Sequence, residues 1–211
     1  MILPPDKKIY LVRHAESEQN KAVITIGNDT ALSEAGTKQA EFVGERFLNI
    51  PIDVIISSPL ERTRKTAEAI SRRTGKPIEE EPLITEWPIP EGAMGLPKTT
   101  RPKLIDMIGG KYPELGETET FEEMKERGER TLELLKNRPE KNIAVVTHGV
   151  FLYILAGLII FKEKLTYEEY ADIHGSMVVS NAGITIFTYT ENPYRENRQW
   201  RIATWNDHAH L

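Results

Sequence analysis

The stretch Ile9-Tyr10-Leu11-Val12-Arg13-His14-Ala15-Glu16 joins a run of four apolar residues directly to a cluster of polar ones. A short run rich in apolar and β-branched residues is typical of a strand that is buried on both faces. In open α/β sheets, ligands bind outside the carboxyl ends of the strands. This stretch therefore predicts a buried strand that ends at candidate functional side chains.

Two further runs of the same kind occur later in the chain. Val54–Ile56 is followed by the cluster Ser57-Ser58-Pro59-Leu60-Glu61-Arg62, and Ile143–Val146 is followed by Thr147-His148-Gly149. Because ligands bind at the carboxyl ends of parallel strands, we expect the three polar clusters to converge on one crevice. They would bring together two histidines and two arginines, namely His14, His148, Arg13 and Arg62.

Helical patterns lie between these strands. Ser33 can cap one helix, and Ser58-Pro59 is typical of an N-cap followed by proline at the first helical position of a second helix, which should end near Gly75. A capping box at Thr120–Glu123 predicts the start of a third helix. The predicted buried face of that helix comprises Phe121, Met124, Gly128, Thr131, Leu132 and Leu135.

The C-terminal part of the chain continues the alternation of strands and helices. Val150–Phe161 indicates a buried helix, which is too short for the roughly 20 residues that span a bilayer. A short helix is predicted at Thr166–Ile173, and two strands at Gly183–Tyr189 and Gln199–Thr204 with a turn around Asn192-Pro193. This alternation predicts a layered α/β domain with a mainly parallel sheet.

Residues 87–116 break this pattern. They contain Pro88, Pro90, Pro97, Pro102 and Pro113 together with several glycines. This density of proline and glycine favours a long irregular excursion over a strand of the sheet. We expect residues 87–120 to form a lid over the site, and a linker between two domains is the alternative interpretation.

Composition excludes several classes of protein. The chain has 211 residues, which favours one domain spanning 1–211, and its formal net charge of −5 argues against a binder of duplex nucleic acid. Cysteine is absent, so disulfides, thiolate nucleophiles and Cys-ligated metal sites are excluded. Only the 5 histidines can supply imidazole chemistry.

The predicted site is suited to an anion. Arginine offers a fixed fork of donors that matches phosphate oxygens, and the N-terminus of a helix adds oriented N–H groups. A neutral imidazole is also a nucleophile near neutral pH, since its ordinary pKa is about 6.5. The sequence thus favours phosphoryl transfer over other chemistries.

The ordered set of motifs resembles the phosphoglycerate mutase-like branch of the histidine phosphatase superfamily. The stretch from Arg13 to Asn20 is similar to the nucleophile motif of that branch, with Ala15 where glycine is usual. Four other segments resemble its signatures in the same order: Gly27–Gly36, Ser57–Thr63, Val145–Gly149 and the tail Trp205–Leu211. The resemblance covers nearly the whole chain and implies a three-layer α/β/α fold.

The resemblance also implies roles for individual residues. His14 would be the nucleophile that forms a phosphohistidine, and Glu86 would be the acid that protonates the leaving group. The transferred phosphoryl oxygens would be held by Arg13, Asn20, Arg62, His148 and Gly149. No metal or other cofactor is implied.

Some assignments remain open at the level of sequence. Glu16 and Glu91 are rival candidates for the acid, and Glu86 would need burial to raise its pKa. We interpret His174 as a loop or surface residue, and His208 and His210 as structural or disordered. Lys98, Arg101 and Lys103 in the excursion could meet a second anionic group or could be solvated.

The leading interpretation is a metal-independent phosphomonoesterase that acts on a small phosphorylated metabolite. The alternatives are a cofactor-dependent phosphoglycerate mutase-type phosphoryl transfer, a non-catalytic phosphate-binding relative, and a metallohydrolase that uses His14, His148 and nearby carboxylates. The short segment 87–121 favours hydrolysis over the mutase reaction, since mutases of this branch carry a longer insertion. We expect a cytoplasmic protein without membrane or nucleic-acid partners.

Overall fold

The computed structural model describes residues 6–100, 103–191 and 198–211. Its six strands are β1 (Lys7–Arg13), β2 (Val54–Ser57), β3 (Ile78–Glu80), β4 (Asn142–Thr147), β5 (Ile184–Glu191) and β6 (Arg198–Asp207). They form one central sheet with the strand order β3-β2-β4-β1-β5-β6. The pairs β1·β4, β2·β4 and β2·β3 are parallel, while β5 and β6 add an antiparallel edge.

Helices cover both faces of the sheet, as a mainly parallel sheet requires. The helices are α1 (Glu18–Lys21), α2 (Glu34–Phe47), α3 (Glu61–Thr74), α4 (Leu104–Ile108), α5 (Phe121–Asn137), α6 (Gly149–Phe161) and α7 (Tyr167–Ser176). In β1, Ile9 and Leu11 pack on one side with α5 and α6, whereas Tyr10 and Val12 pack on the other side with α2 and α3. This confirms the predicted three-layer α/β/α fold.

The helix signals read from the sequence are mostly confirmed. Ser33 caps α2 by accepting a hydrogen bond from the Gly36 N–H, and α3 ends at Gly75, whose φ of 69° lies in the left-handed region. The capping box at Thr120 starts α5, and the six residues predicted for its buried face are the buried ones. The predicted turn around Asn192-Pro193 lies outside the described residues.

The predicted start of α3 is wrong. Leu60, rather than Ser58, is the N-cap, and the helix begins at Glu61, so Pro59 precedes it. The Glu61 N–H is capped instead by the carboxylate of Asp29, at 2.7 Å. The Ser58 hydroxyl instead contacts His148 Nε2 at 2.8 Å and the Leu60 N–H at 3.5 Å.

The excursion is irregular over most of its described length. Residues 87–100 and 103–116 contain α4 and two 3-10 turns, Glu91–Ala93 and Pro113–Leu115, but no strand. Trp87 at its start is buried at 1% exposure and anchors it to the core. In the described parts of the chain, no helix has both the length and the apolar content needed to cross a membrane.

The close packing of α2 against the polar segment after β1 makes Gly36 sensitive to substitution. A Cβ at this position would lie 1.8 Å from the Glu16 carbonyl oxygen, which is backbone and cannot rotate away. We expect Gly36→Ala to lower the free energy of unfolding by about 1–3 kcal/mol, since overpacking forces a backbone shift. Urea denaturation measures this.

Gly175→Ala is the matched control, because a Cβ on this helical glycine would meet nothing within 4 Å. We expect it to leave stability unchanged or to raise it by up to about 1 kcal/mol through helix propensity. Equal losses in both variants would show that the contact with Glu16 is not the cause.

Candidate active site

The three polar clusters converge as expected, because their strands are neighbours with β4 in the middle. The pairing even continues past the strand ends: the His14 N–H donates to the Thr147 carbonyl at 2.9 Å, and the Ser58 N–H to the Val146 carbonyl at 3.1 Å. Residues 14, 58 and 148 are thereby aligned at one edge of the sheet. An open cleft of about 330 Å³ lies there.

All but one of the site residues predicted from the sequence line the cleft. His148 lies directly beneath its lining and contacts both Arg62 and His14. The other predicted residues line the cleft itself, together with residues of the excursion and of the later helices. These predicted lining residues are Arg13, His14, Asn20, Arg62, Glu86 and Gly149.

The two histidines lie side by side in opposite tautomers. Their ring centres are 5.2 Å apart, and both side chains are buried. His14 Nδ1 lies 2.7 Å from the Ala15 carbonyl, which can only accept, so Nδ1 carries the proton and Nε2 keeps a free lone pair. His148 Nδ1 faces the Arg62 guanidinium at 3.1 Å and accepts, so its Nε2 donates to the Ser58 hydroxyl at 2.8 Å.

Burial lowers the pKa of both imidazoles well below the ordinary value of 6.5, and the positive charges of Arg62 and Arg13 lower it further. Both rings are therefore neutral at neutral pH. For His14, this means that the lone pair on Nε2 is available as a nucleophile.

The arginines are fixed by backbone carbonyls. Arg62, in the first turn of α3, donates from Nη1 to the Asn28 carbonyl at 2.6 Å. Arg13 donates from Nη1 to the Val179 carbonyl at 2.5 Å, while its buried Nε has no partner among the described residues. A Cβ on Gly149 would come within 3.3 Å of that Nε, so the glycine leaves room for it. An unpaired, buried cationic donor at a cleft is suited to an anionic ligand.

Asn20 has only one end of its amide available. Its Oδ1 accepts from the Ser17 N–H, from the Ser17 hydroxyl and from the side chain of Asn181. Its Nδ2 therefore remains as the donor that can face a ligand. Asn181, which also donates to the His14 carbonyl at 3.0 Å, was not found from the sequence because it lies in a loop far along the chain.

Glu86 lies at the N-terminus of α6. Its carboxylate accepts from the N–H groups of Val150 and Phe151, each at 3.2 Å, and from that of Trp87 at 3.1 Å. Burial raises the pKa of Glu86, while Arg62 and the N–H donors oppose that rise. The N–H groups at the start of α6, which the sequence predicted would bind a phosphate, thus bind the Glu86 carboxyl group instead.

The rival acids are placed elsewhere. Glu16 accepts a hydrogen bond from the Ser33 hydroxyl at 2.5 Å, and Glu91 is exposed in a 3-10 turn. Neither lines the cleft. Glu86 is the one carboxylate among the described lining residues.

His174 corrects the sequence interpretation. It lies on α7 rather than in a loop, lines the cleft and packs against Tyr153 with ring centres 4.8 Å apart. The helix extends to Ser176, beyond the predicted end at Ile173, and this extension carries His174 to the cleft wall. His210, by contrast, is structural, since its Nε2 donates to the Ala182 carbonyl at 3.0 Å, and His208 is exposed.

Two further residues contribute to the site in ways that the sequence did not indicate. The side-chain amide of Asn28 donates to the carbonyl of Ile89 and accepts from its N–H. Because the backbone carbonyl of Asn28 accepts from Arg62, Asn28 connects the excursion to Arg62. Lys98 lines the cleft and donates to the carbonyl groups of Gln19 and Asn20. Lys103 is exposed, and Arg101 lies outside the described residues.

Metal ligation gains no support from this geometry. Within residues 6–100, 103–191 and 198–211, no three His, Cys, Asp or Glu side chains are grouped closely enough to hold a metal ion. The metallohydrolase alternative therefore lacks a ligand set in that part of the chain.

The buried histidines predict how stability depends on pH. Because the fold lowers the pKa of His148, the unfolded chain binds its proton first as the pH falls below about 6.5. Stability should therefore be complete above that pH and be lost toward lower pH, with a slope of up to about 1.4 kcal/mol per pH unit for this one group.

We expect His148→Gln to flatten the pH dependence of the free energy of unfolding between about pH 5 and 6.5. Urea titrations of both proteins at each pH measure this. Glu86, whose pKa is raised, contributes with the opposite sign to both proteins, so its contribution cancels in the difference between them. Parallel curves would contradict the buried neutral state of His148.

A family model described as the histidine phosphatase superfamily (branch 1) matches residues 9–208. The chain belongs to the histidine phosphatase superfamily. This confirms the resemblance read from the motifs, and relatives within the family carry phosphatase names.

Similar members of the histidine phosphatase superfamily cover almost the whole chain. "Probable phosphoglycerate mutase GpmB" of Photorhabdus laumondii is 30% identical over 97% of this chain and 94% of its own length. "Uncharacterized phosphatase PhoE" of Bacillus subtilis is 29% identical over 96% of each. Among solved structures, a phosphoserine phosphatase mutant from Entamoeba histolytica in complex with phosphoserine shares the fold with a TM-score of 0.72 at 22% identity, over 97% of this chain and 99% of its own.

Proposed function

We propose that the protein is a metal-independent phosphomonoesterase that acts on small phosphorylated metabolites through a phosphohistidine on His14. The observation that carries this is the His14 ring: it is neutral, its Nδ1 proton is held by the Ala15 carbonyl, and its Nε2 lone pair is free beside two arginines. That arrangement is what a nitrogen nucleophile toward phosphorus requires.

The first step forms a bond between His14 Nε2 and phosphorus as the bond from phosphorus to the alcohol oxygen breaks. The proton of the Glu86 carboxyl group passes to the departing oxygen, and the raised pKa of Glu86 favours the protonated form that this needs. The guanidinium groups of Arg13 and Arg62 and Asn20 Nδ2 hold the equatorial oxygens, where the charge of the transition state lies.

The second step releases phosphate. A water molecule attacks phosphorus, the phosphorus–nitrogen bond breaks, and the Glu86 carboxylate takes the water's proton. This restores neutral His14 and protonated Glu86. His148 contributes by holding Arg62, to which it is hydrogen-bonded.

The excursion serves as a lid in this proposal. One wall around the leaving group is supplied by residues 87–100 and 103–120, of which Trp87, Ile89, Lys98 and Leu104 line the cleft. Residues 1–211 then form one domain, and the chemistry of that wall selects the substrate.

Phosphoglycerate mutase-type transfer is the second candidate, favoured by the names of several relatives. The test is an assay of 3-phosphoglycerate with and without its bisphosphate, together with a panel of phosphate esters. We expect release of inorganic phosphate from several esters. Efficient isomerisation without phosphate release would overturn the proposal, and binding of vanadate with no turnover on any ester would indicate a non-catalytic relative.

A further inference from the structure

A mostly buried ion pair supports the loop that carries Glu86. Arg127 on α5 pairs with Glu119 through two hydrogen bonds of 2.6 Å, from Nε to Oε1 and from Nη2 to Oε2. Their side chains are 15% and 16% exposed, and neither lines the cleft. The mechanism proposed above uses neither of them.

Arg127 also holds the backbone just before Glu86. Its Nη1 donates to the carbonyl groups of Leu83 and Thr85, each at 2.8 Å. The carbonyl between them, that of Ile84, accepts from the Thr147 hydroxyl at 2.7 Å. Three successive carbonyl groups are therefore fixed immediately before the carboxyl group.

The same ion pair also contacts Trp87, the residue after Glu86, and Phe151, which binds the Glu86 carboxylate. The backbone carbonyl of Glu119 accepts from the Trp87 indole N–H at 2.6 Å. The Arg127 guanidinium lies 4.3 Å from the centre of the Phe151 ring, and the backbone N–H of Phe151 donates to Glu86. Arg127 and Glu119 thus contact both neighbours of Glu86, and two of its hydrogen-bond donors, Trp87 and Phe151, are among the residues contacted.

We propose that Arg127 and Glu119 are positioning residues that hold the Glu86 carboxyl group where it can protonate the leaving oxygen. This rests on the proposed function of Glu86. An exposed ion pair would contribute little, but this one is bidentate, mostly buried and bonded to the backbone of the Glu86 loop. Its loss would let that loop shift, and proton transfer tolerates little displacement.

The experiment compares kcat/KM for two substrates, because kcat/KM reports the phosphorylation step up to release of the alcohol. β-Glycerophosphate has a poor leaving group that needs a proton, whereas p-nitrophenyl phosphate has a good one that does not. For Arg127→Met we expect a loss of about 10- to 100-fold on β-glycerophosphate, in keeping with a displacement of about 1 Å, and less than about 3-fold on p-nitrophenyl phosphate.

The matched control is Arg130→Met, which removes an exposed arginine three residues further along the same helix. We expect it to leave both values unchanged. Glu119→Gln retains its backbone bond to Trp87 and the Arg127 contacts to carbonyl groups, and should show a smaller loss with the same dependence on the leaving group. Circular dichroism and the Tm show whether Arg127→Met folds. If it does not, the result for Glu119→Gln decides whether the ion pair positions Glu86.

Equal losses on the two substrates, or no loss on either, would overturn the positioning role. Glu86→Gln is measured in the same series to separate the two proposals. If the loss of kcat/KM in Glu86→Gln depends on the leaving group but the losses in Arg127→Met and Glu119→Gln do not, only the positioning role fails. If Glu86→Gln itself shows no such dependence, the proposed function of Glu86 fails.

Discussion

Replacing His14 by alanine is expected to lower kcat/KM by about 10⁵- to 10⁶-fold, the size of the loss when a covalent nucleophile is removed from a hydrolase. The remaining arginines could still bind the phosphate ester, but no other neutral imidazole among the described residues lies beside both arginines with a free lone pair. His148 cannot substitute, because its Nδ1 accepts from Arg62 and its Nε2 carries the proton.

The measurement combines steady-state rates with the capture of the covalent intermediate. Acid-labile phosphate should be incorporated by the wild-type protein and be absent from His14→Ala. His208→Ala is the control, since His208 is exposed and does not line the cleft. A His14→Ala protein that kept substantial turnover, or that still trapped acid-labile phosphate, would exclude the mechanism.

Replacing Glu86 by glutamine should lower kcat/KM for β-glycerophosphate by about 10²- to 10⁴-fold, the usual contribution of a general acid. The amide can keep the shape of the carboxyl group but has no acidic proton to give. For p-nitrophenyl phosphate we expect a loss of less than about 10-fold, because its leaving group departs as an anion. The proton-donating role thus appears as a difference between substrates.

The pH profile tests the same residue in another way. Glu86 must be protonated to act as the acid, so kcat/KM for the alkyl ester should fall as the pH rises through the raised pKa of Glu86. This fall of kcat/KM with rising pH should be missing in Glu86→Gln. Glu91→Gln is the control, and if it rather than Glu86→Gln showed the loss that depends on the leaving group, the assignment of the acid would be wrong.

The fold was largely predictable because its signals are local. A buried strand and a capped amphipathic helix each follow from neighbouring residues, as Ile9–Val12 and the Thr120 capping box show. The start of α3 was mispredicted because its cap comes from Asp29, some thirty residues earlier in the chain. No local pattern identifies a cap of that kind.

The site was predictable where residues follow strand ends, and less so elsewhere. His14, Arg62 and His148 could be placed because parallel strands bring their carboxyl ends together. His174, Asn28 and Asn181 reach the site from a helix and two loops, whose placement depends on packing across the whole domain. The opposite tautomers of the two histidines likewise follow only from which atoms face each nitrogen.

The position of Glu86 between arginines and helix N–H groups has a consequence for when it holds its proton. Arg62 and Arg13 lower its pKa, and these are the groups that we expect a phosphate dianion to contact. Once the bound ester offsets their charge, they oppose the effect of burial less, so the pKa of the carboxyl group rises further. We therefore expect Glu86 to take up a proton when the ester binds. The affinity for the ester should accordingly fall as the pH rises.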